Sequence, residues 1–559
     1  MDRQVLLAIA LSALVVIAYQ QFLRIYYPDY GRKPAPTANE TPEAAPPAGV
    51  PALPPAQGEP QAAAPEAGPV PSADILVDTP LLRAGFSSLG GRLVSLKLKH
   101  YRATIDPQSP PLDLVASATS NDMPLGAVLR GATTWTDRQL AYTPSTSSVT
   151  LGEGQDGEIV LRGAAPAGVT IEKHLRFAAA SYAFGMDLQI ADPDRAYAEG
   201  GLRWTHNPTE SQSRYAFQGP EALVGGKLLR FSETELTQGT ILPDPHAPAE
   251  SRPAVYWAGY ADNYFISAIM PRENEPLRMW VKKERGEIVT EVLVPMPALS
   301  AGAYPFTIYS GPKDLTALQA AGHHLARAVD LGWFSFVAEP MLRVLKVFHR
   351  ATRNYGVDII LLTVLVKLVT VPLTQKSYKS MLALQKLQPQ MKKLQEKYAD
   401  DRTALNKEVM ELYRRHNVNP LGGCLPMVVQ MPIFIGLYNA LLSAVELRHA
   451  RFMLWMNDLS APDRLPPMPH APLAVIAGTD IRIPVLTLLM GLSMLIQQRM
   501  TPQAGDPTQQ RMMMIMPLVF TVMFINFPSG LALYWLVNNV LTIAQQMWLQ
   551  RQAKSPAKA

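Results

Sequence analysis

With 559 residues, a net charge of only +5 and 48% hydrophobic side chains, the chain is long enough for several domains and carries no strong polyelectrolyte character. Its single cysteine, Cys424, excludes an intrachain disulfide, and no folded basic surface with interleaved aromatics is visible, which argues against nucleic acid as a direct partner. Apolar residues are unevenly spread: residues 33–325 read as soluble protein, whereas most long apolar runs fall after residue 350.

Residues 5–19 form an apolar run behind Met1-Asp-Arg-Gln4, a length that suits a signal peptide or a short spanning helix. No small-x-small cleavage site follows, only Gln20-Gln-Phe-Leu-Arg24 and two interfacial tyrosines, so residues 1–24 are expected to be an uncleaved signal anchor. Residues 33–74 are dominated by Pro, Ala and Glu, cannot bury a core, and predict an extended linker.

Between 75 and 325 the pattern changes to short alternating runs such as Arg92-Leu-Val-Ser-Leu-Lys-Leu98 and Glu287-Ile-Val-Thr-Glu-Val292, divided by turn residues. Many short strands at this spacing predict a large β-sandwich. His323-His324 has no ligand-spaced partner for a metal, and Trp135, Trp204 and Trp257 fit a core or rim better than a carbohydrate groove. Residues 332–350 then form an amphipathic segment, with Arg343, Lys346 and Arg350 on one face, expected to lie in the membrane interface.

Five further apolar segments follow, at about 356–374, 421–444, 483–498, 513–527 and 530–548, predicting a helical membrane core over 356–548 and six spans in all. The loop 375–416 holds ten Lys or Arg against five acids and shows helical periodicity (Leu384, Leu387, Met391, then Leu405, Val409, Leu412), with Asp400-Asp401 as turn and cap. It predicts an antiparallel, coiled-coil-like hairpin over 376–415. Its charge places it in the cytoplasm with both chain ends, including a basic tail at 549–559, and puts the β domain outside.

Lys367 interrupts the first of these segments. A cation at that depth costs about 2.5–3.5 kcal/mol on insertion scales and is characteristically functional. Thr363, Thr370 and Thr374 share its helical face, so the stripe must meet protein or water rather than lipid. A second polar stripe runs along the last segment through Trp535, Asn538, Asn539, Thr542, Gln545 and Gln546, and Gln430 and Asn439 add polar groups between them. Such residues also make ordinary hydrogen bonds between helices, but no acid lies deep in any segment to neutralise Lys367, which implies a hydrated groove. Clustered methionines, as in Met512-Met-Met-Ile-Met516, suit either an adaptable apolar surface or plain filler. Hydrolase, kinase, redox and metal signatures are absent from the sequence, so neither bond-making chemistry nor a cofactor is expected.

Three motifs then carry a resemblance: Asn419-Pro-Leu-Gly-Gly-Cys-Leu-Pro-Met-Val-Val-Gln-Met-Pro-Ile-Phe434, Val371-Pro-Leu-Thr374 and Phe527-Pro-Ser-Gly-Leu-Ala-Leu-Tyr534. They resemble the YidC membrane protein insertases, a family that includes the mitochondrial oxidase-assembly and chloroplast Albino insertases. The anchor and external domain resemble the Gram-negative form, whose periplasmic domain is similar to galactose mutarotase-like β-sandwiches.

The resemblance implies an inner-membrane insertase and chaperone with a groove open to cytoplasm and lipid. Its substrates would be nascent membrane proteins, with the Sec translocon as a partner and ribosomes or targeting factors at the hairpin. It further implies Lys367 as the groove cation, Thr363 a turn earlier and Trp535 as a substrate-contacting aromatic. Thr370, Gln430, Tyr534 and Asn538 complete the candidate groove. Lys replaces the family's common Arg and Trp its usual Tyr, so a bidentate carboxylate clamp is not expected. A transporter or channel is the rival reading of the same stripes, though no internal repeat supports it.

Overall fold

The computed structural model describes residues 72–554 apart from 116–122, 166–167, 193, 207–216, 244–252, 273–276, 301, 399–400, 417, 419–424, 466–482 and 502–506. The expected anchor at 1–24, nearly all of the 33–74 linker, Cys424 and the end of the basic tail lie outside the described residues.

Residues 75–312 form three sheets of five, nine and six strands, from Ile75–Asp78 to Tyr304–Pro312. Their inward faces share one core: Ile75, Val77 and Phe86 from the first sheet, Ile171, Leu175 and Phe177 from the second, and Leu202, Trp204, Met279 and Val292 from the third. The strand Thr170–Ala178 shows the rule, since Ile171, Leu175 and Phe177 alternate with exposed or half-exposed neighbours. Trp204 and Trp257 are buried and Trp135 packs against the core, which leaves none of the three as an exposed aromatic platform.

One inward position of that strand carries a charge. Lys173 is fully buried and donates to the carbonyls of Gly90, Gly91 and Leu125 at 3.0, 3.2 and 3.0 Å, while Asp137 lies 2.6 Å from its ammonium. Burial pulls the ammonium below its ordinary range, opposed by Asp137. The carbonyls it binds flank strands of the other two sheets, so one side chain ties all three together.

Ten α-helices are described, the first three short: α1 (Glu233–Gln238), α2 (Met296–Ser300) and α3 (Leu315–Ala321). The remainder are α4 (Ser335–Thr352), α5 (Tyr355–Lys397), α6 (Arg402–Arg415), α7 (Leu425–Ser443), α8 (Val485–Met500), α9 (Pro507–Phe524) and α10 (Ser529–Lys554). Helix α4 ends with Arg353 in the left-handed region, and Asn354 then caps α5 by accepting from the amides of Gly356 and Val357. Among the described residues only α5 is both long and apolar enough to cross a membrane by itself; the apolar parts of α7, α8 and α9 are shorter.

The sequence suggests a first span ending near 374 and a separate hairpin helix after it. Instead α5 runs through both as one helix of 43 residues, with Pro372 and Pro389 inside it. Proline removes one backbone donor and strains the preceding turn, yet it is tolerated when neighbouring helices support the chain. Asp401 caps α6 through the amides of Thr403 and Ala404, and α6 packs back against α5.

The β domain is docked on the helical core. Lys346 of α4 bridges Asp314, the cap of α3, at 2.6 Å and Glu446 at 2.8 Å. Arg448 donates to the carbonyls of Arg102 and Ala103 at 2.7 and 3.1 Å, and Val445 is buried in the β-domain core. Burial pushes the Asp314 carboxyl up, but the Lys346 hydrogen bond and the Ala317 amide outweigh it and hold it below the ordinary range. Burial likewise pulls Lys346 down, and Glu446 and Asp314 outweigh that and raise it.

The carboxylate contribution is present above the ordinary Asp value and is lost as pH falls through the lowered one; the ammonium contribution is lost only as pH rises through its raised value. Docking is therefore firm at neutral pH and loosens in acid. Pulsed dipolar distances between spin labels at the exposed positions 153 and 350 should broaden below pH 4, on the scale of ordinary carboxylates. Lys346→Gln should broaden them already at neutral pH.

Candidate functional site

Helix α10 packs between α5 and α8 and also touches α7, so its side chains decide what the core interior contains. Tyr534, Asn538 and Thr542 recur at four-residue intervals on one face, about 6 Å per step. Lys367 lies eleven residues from Gly356 along α5, about 17 Å below the helix start and near mid-depth of an apolar layer about 30 Å thick.

The Lys367 side chain is almost wholly covered, at 8% exposure, and its ammonium donates to Thr542 Oγ1 at 2.8 Å. The Thr542 hydroxyl in turn donates to the carbonyl of Asn538 at 2.6 Å, which fixes its lone pairs toward the lysine. Among the described residues no carboxylate pairs with Lys367. An ammonium has three donors, so the Thr542 contact leaves valency for an incoming acceptor.

A second polar pair sits nearer the β domain. Gln430 of α7 donates to the Tyr534 hydroxyl at 2.8 Å, and Tyr534 is fully buried. Beside it Trp535 packs edge-on against Phe434 with centroids 4.9 Å apart, and close to Phe520 and Phe524 at 6.0 and 5.6 Å. Asn538 is half-buried between the two pairs along α10.

The threonines behave differently. Thr363 is buried at 1% exposure and donates to the Ile359 carbonyl of its own helix at 2.6 Å. Thr370 donates to Val366 at 3.0 Å and Thr374 to Val371 at 3.0 Å. Their hydroxyls thus satisfy themselves locally, and Thr374 also accepts from Gln545 at 3.0 Å.

The expected single wet stripe on α10 splits in two. Thr542 and Gln545 meet α5, whereas Asn539 donates to Ser493 at 2.9 Å and Gln546 to Thr501 at 3.1 Å, both at the α8 end of the interface. Successive residues turn by 100°, so adjacent positions such as 538 and 539 look toward different neighbours. Four of the six stripe residues are thereby engaged in bonds between helices. Gln550 continues the seam, donating to Tyr378 at 3.0 Å and to the Met500 carbonyl at 3.3 Å. Sequence reasoning did not single out Thr542 as the lysine's partner, although its eight-residue spacing from Tyr534 was visible. Ser493 and Thr501 had no comparable signal.

Similarity to known proteins bears on this arrangement. Residues 74–344 match the family described as the YidC periplasmic domain, and 347–556 match that described as the 60Kd inner membrane protein. The curated membrane protein insertase YidC of Syntrophobacter fumaroxidans is 39% identical over 99% of this chain and 100% of its own length. The chain belongs to the YidC family of membrane protein insertases. The corresponding insertase of Geobacter sulfurreducens is 40% identical over 85% of each chain. A crystal structure of an active YidC insertase with its first transmembrane domain resolved covers 85% of this chain at 17% identity and a TM-score of 0.34, too slight a likeness to argue from.

The function is therefore membrane protein insertion, in an inner-membrane protein with a β-rich periplasmic domain.

The bond between Lys367 and Thr542 can be weighed directly. A hydrogen bond to a charged group contributes about 1.5–3 kcal/mol. A double-mutant cycle of Lys367→Met and Thr542→Val, read by unfolding in detergent, should give a coupling of about 1–2 kcal/mol. Additive effects of the two substitutions would show that the bond does not form.

Proposed function

We propose that the protein inserts inner-membrane clients by drawing a short polar segment of the client along the Tyr534–Asn538–Thr542 face of α10, with Lys367 as the attracting charge. The observation that carries this reading is the covered ammonium of Lys367, held by Thr542 without a carboxylate partner among the described residues. A buried charge without its counter-ion is costly, and an acidic client segment repays that cost as it arrives. The client lowers its own desolvation penalty in the same step, so no external energy source or bond-making chemistry is needed.

The other candidate residues take supporting parts. Gln430 and Tyr534 offer a polar site above Lys367, Asn538 joins the two along α10, and Trp535 offers its half-buried ring to passing apolar side chains. Thr363 and Thr370 keep the α5 face narrow and free of competing donors, because their hydroxyls are spent on the helix itself.

The topology that fits this mechanism has six spans: the 1–24 anchor and five core helices over 356–548. Both termini and the 376–415 hairpin lie in the cytoplasm. The ten basic residues of the hairpin loop suit contact with ribosomes or targeting factors delivering nascent chains. The periplasmic domain, read as a β-sandwich of the galactose mutarotase-like kind, offers the external surface for a partner such as the Sec translocon.

Insertion of a reporter with an acidic external tail tests the charge. Lys367→Ala should abolish most of it, and Lys367→Arg should recover most, since the cation is kept even though its geometry changes. The same reporter with a neutral tail should be far less sensitive. Unimpaired insertion of the acidic tail by Lys367→Ala would overturn the attraction.

A further inference from the structure

The segment that follows α7 has two faces. Phe452, Trp455, Met456 and Leu459 turn inward and join the apolar core of the helical bundle. Between them Met453 and Leu454 turn outward, 51% and 79% exposed, and Leu454 is among the most exposed large apolar side chains described.

This turn is held firmly. The Phe452 amide donates to Met456 at 2.9 Å, the Trp455 indole N–H donates to Asp463 at 2.7 Å, and the Leu459 carbonyl accepts from Gly530 at 2.9 Å. Leu454 itself has φ 54°, a left-handed conformation that a leucine keeps only where the surroundings impose it. Two exposed apolar side chains are thus presented at the tip of a rigid turn.

Their height relative to the membrane is set by Phe452. Its ring fills the space beside Gly356, where any Cβ would come within 2.0 Å of it. Gly356 is the second residue of α5, at the end of that helix next to the β domain. The outward apolar surface of α5 begins at Leu361, five residues on and about 7.5 Å deeper, and continues through Leu365, Leu368 and Val369. The 453–454 tip therefore stands at the upper rim of a surface built to meet acyl chains. Arg451, exposed on the same turn, is placed to reach lipid phosphates.

We propose that the 451–454 turn is a membrane anchor, inserting Met453 and Leu454 into the headgroup and acyl boundary of the periplasmic leaflet. The occupant is lipid, as the continuity with the apolar face of α5 indicates. Because the same segment carries Glu446 and Arg448, the anchor fixes the height of the docked β domain above the bilayer. The inference requires only that α5 crosses the bilayer and is independent of the role given to Lys367.

The test uses the full chain with Cys424→Ser, reconstituted in phosphatidylethanolamine–phosphatidylglycerol vesicles and spin-labelled at one introduced cysteine. Leu454→Cys is compared with Leu368→Cys on α5 and Glu153→Cys on an exposed turn of the β domain, by accessibility to oxygen and to a water-soluble nickel chelate. The label at 454 should favour oxygen, approaching the label at 368, and be at least several-fold less accessible to nickel than the label at 153. Nickel accessibility at 454 equal to that at 153, with 368 protected, overturns the anchor and leaves the spanning of α5 standing. Nickel accessibility at 368 as well overturns both.

Discussion

The membrane half of this molecule is organised around Lys367, a buried charge with no carboxylate partner among the described residues. Lys367 sits at mid-depth in a helix whose other faces are apolar, and the nearby side chains offer it a hydroxyl rather than a carboxylate. A buried ion pair would neutralise the lysine permanently. A lysine facing lipid would not be tolerated. The solution adopted is a neighbouring helix with one polar face, close enough to orient the ammonium and too weakly polar to quench it. The arrangement of α10 against α5, α7 and α8 can be understood as the scaffold for that compromise.

The β-rich half is organised by the opposite device. There Lys173 is fully buried and fully paired, bound by Asp137 and three carbonyls, and it links three sheets. The two lysines are chemically alike, and their different surroundings separate a structural role from an available one. Between the halves, the chain after α7 acts as a common footing. It binds the β domain through Val445 and Arg448, touches α4 through Glu446, and meets the start of α10 through Leu459 and Ala461. The two halves therefore share a segment instead of being strung together only by the chain between them.

Much of this was legible in the sequence because it rests on period and composition. The alternation in Thr170–Ala178 gives the strand, and the Asp401 cap gives the start of α6. Lys367 stood out because charge inside an apolar run is rare. What was not legible depends on pairing across distant positions. Nothing local announces that Ser493 accepts from Asn539, or that Thr542 rather than Gln545 meets Lys367. The continuity of α5 was also hidden, because Pro372 and the change from apolar to basic composition both mimic a helix boundary, while lateral packing overrides the local signal. Spacing places Thr363 on the face of Lys367, but does not reveal the bond its hydroxyl makes to the Ile359 carbonyl on the preceding turn.

The unbroken course of α5 has a mechanical meaning. Its 43 residues make a rod about 65 Å long that begins beside the β domain and ends at the tip of the hairpin. A rod of this kind transmits bending and torsion except where its hydrogen-bond ladder is interrupted. The interruptions are at Pro372 and Pro389, which leave the carbonyls of Leu368 and Gln385 without their usual donors. Both lie on the hairpin side of Lys367. A load on the hairpin thus meets two soft joints before it reaches the lysine, and the stretch from Asn354 to Lys367 stays stiff. The hairpin can flex while the charge of Lys367 stays at a constant depth.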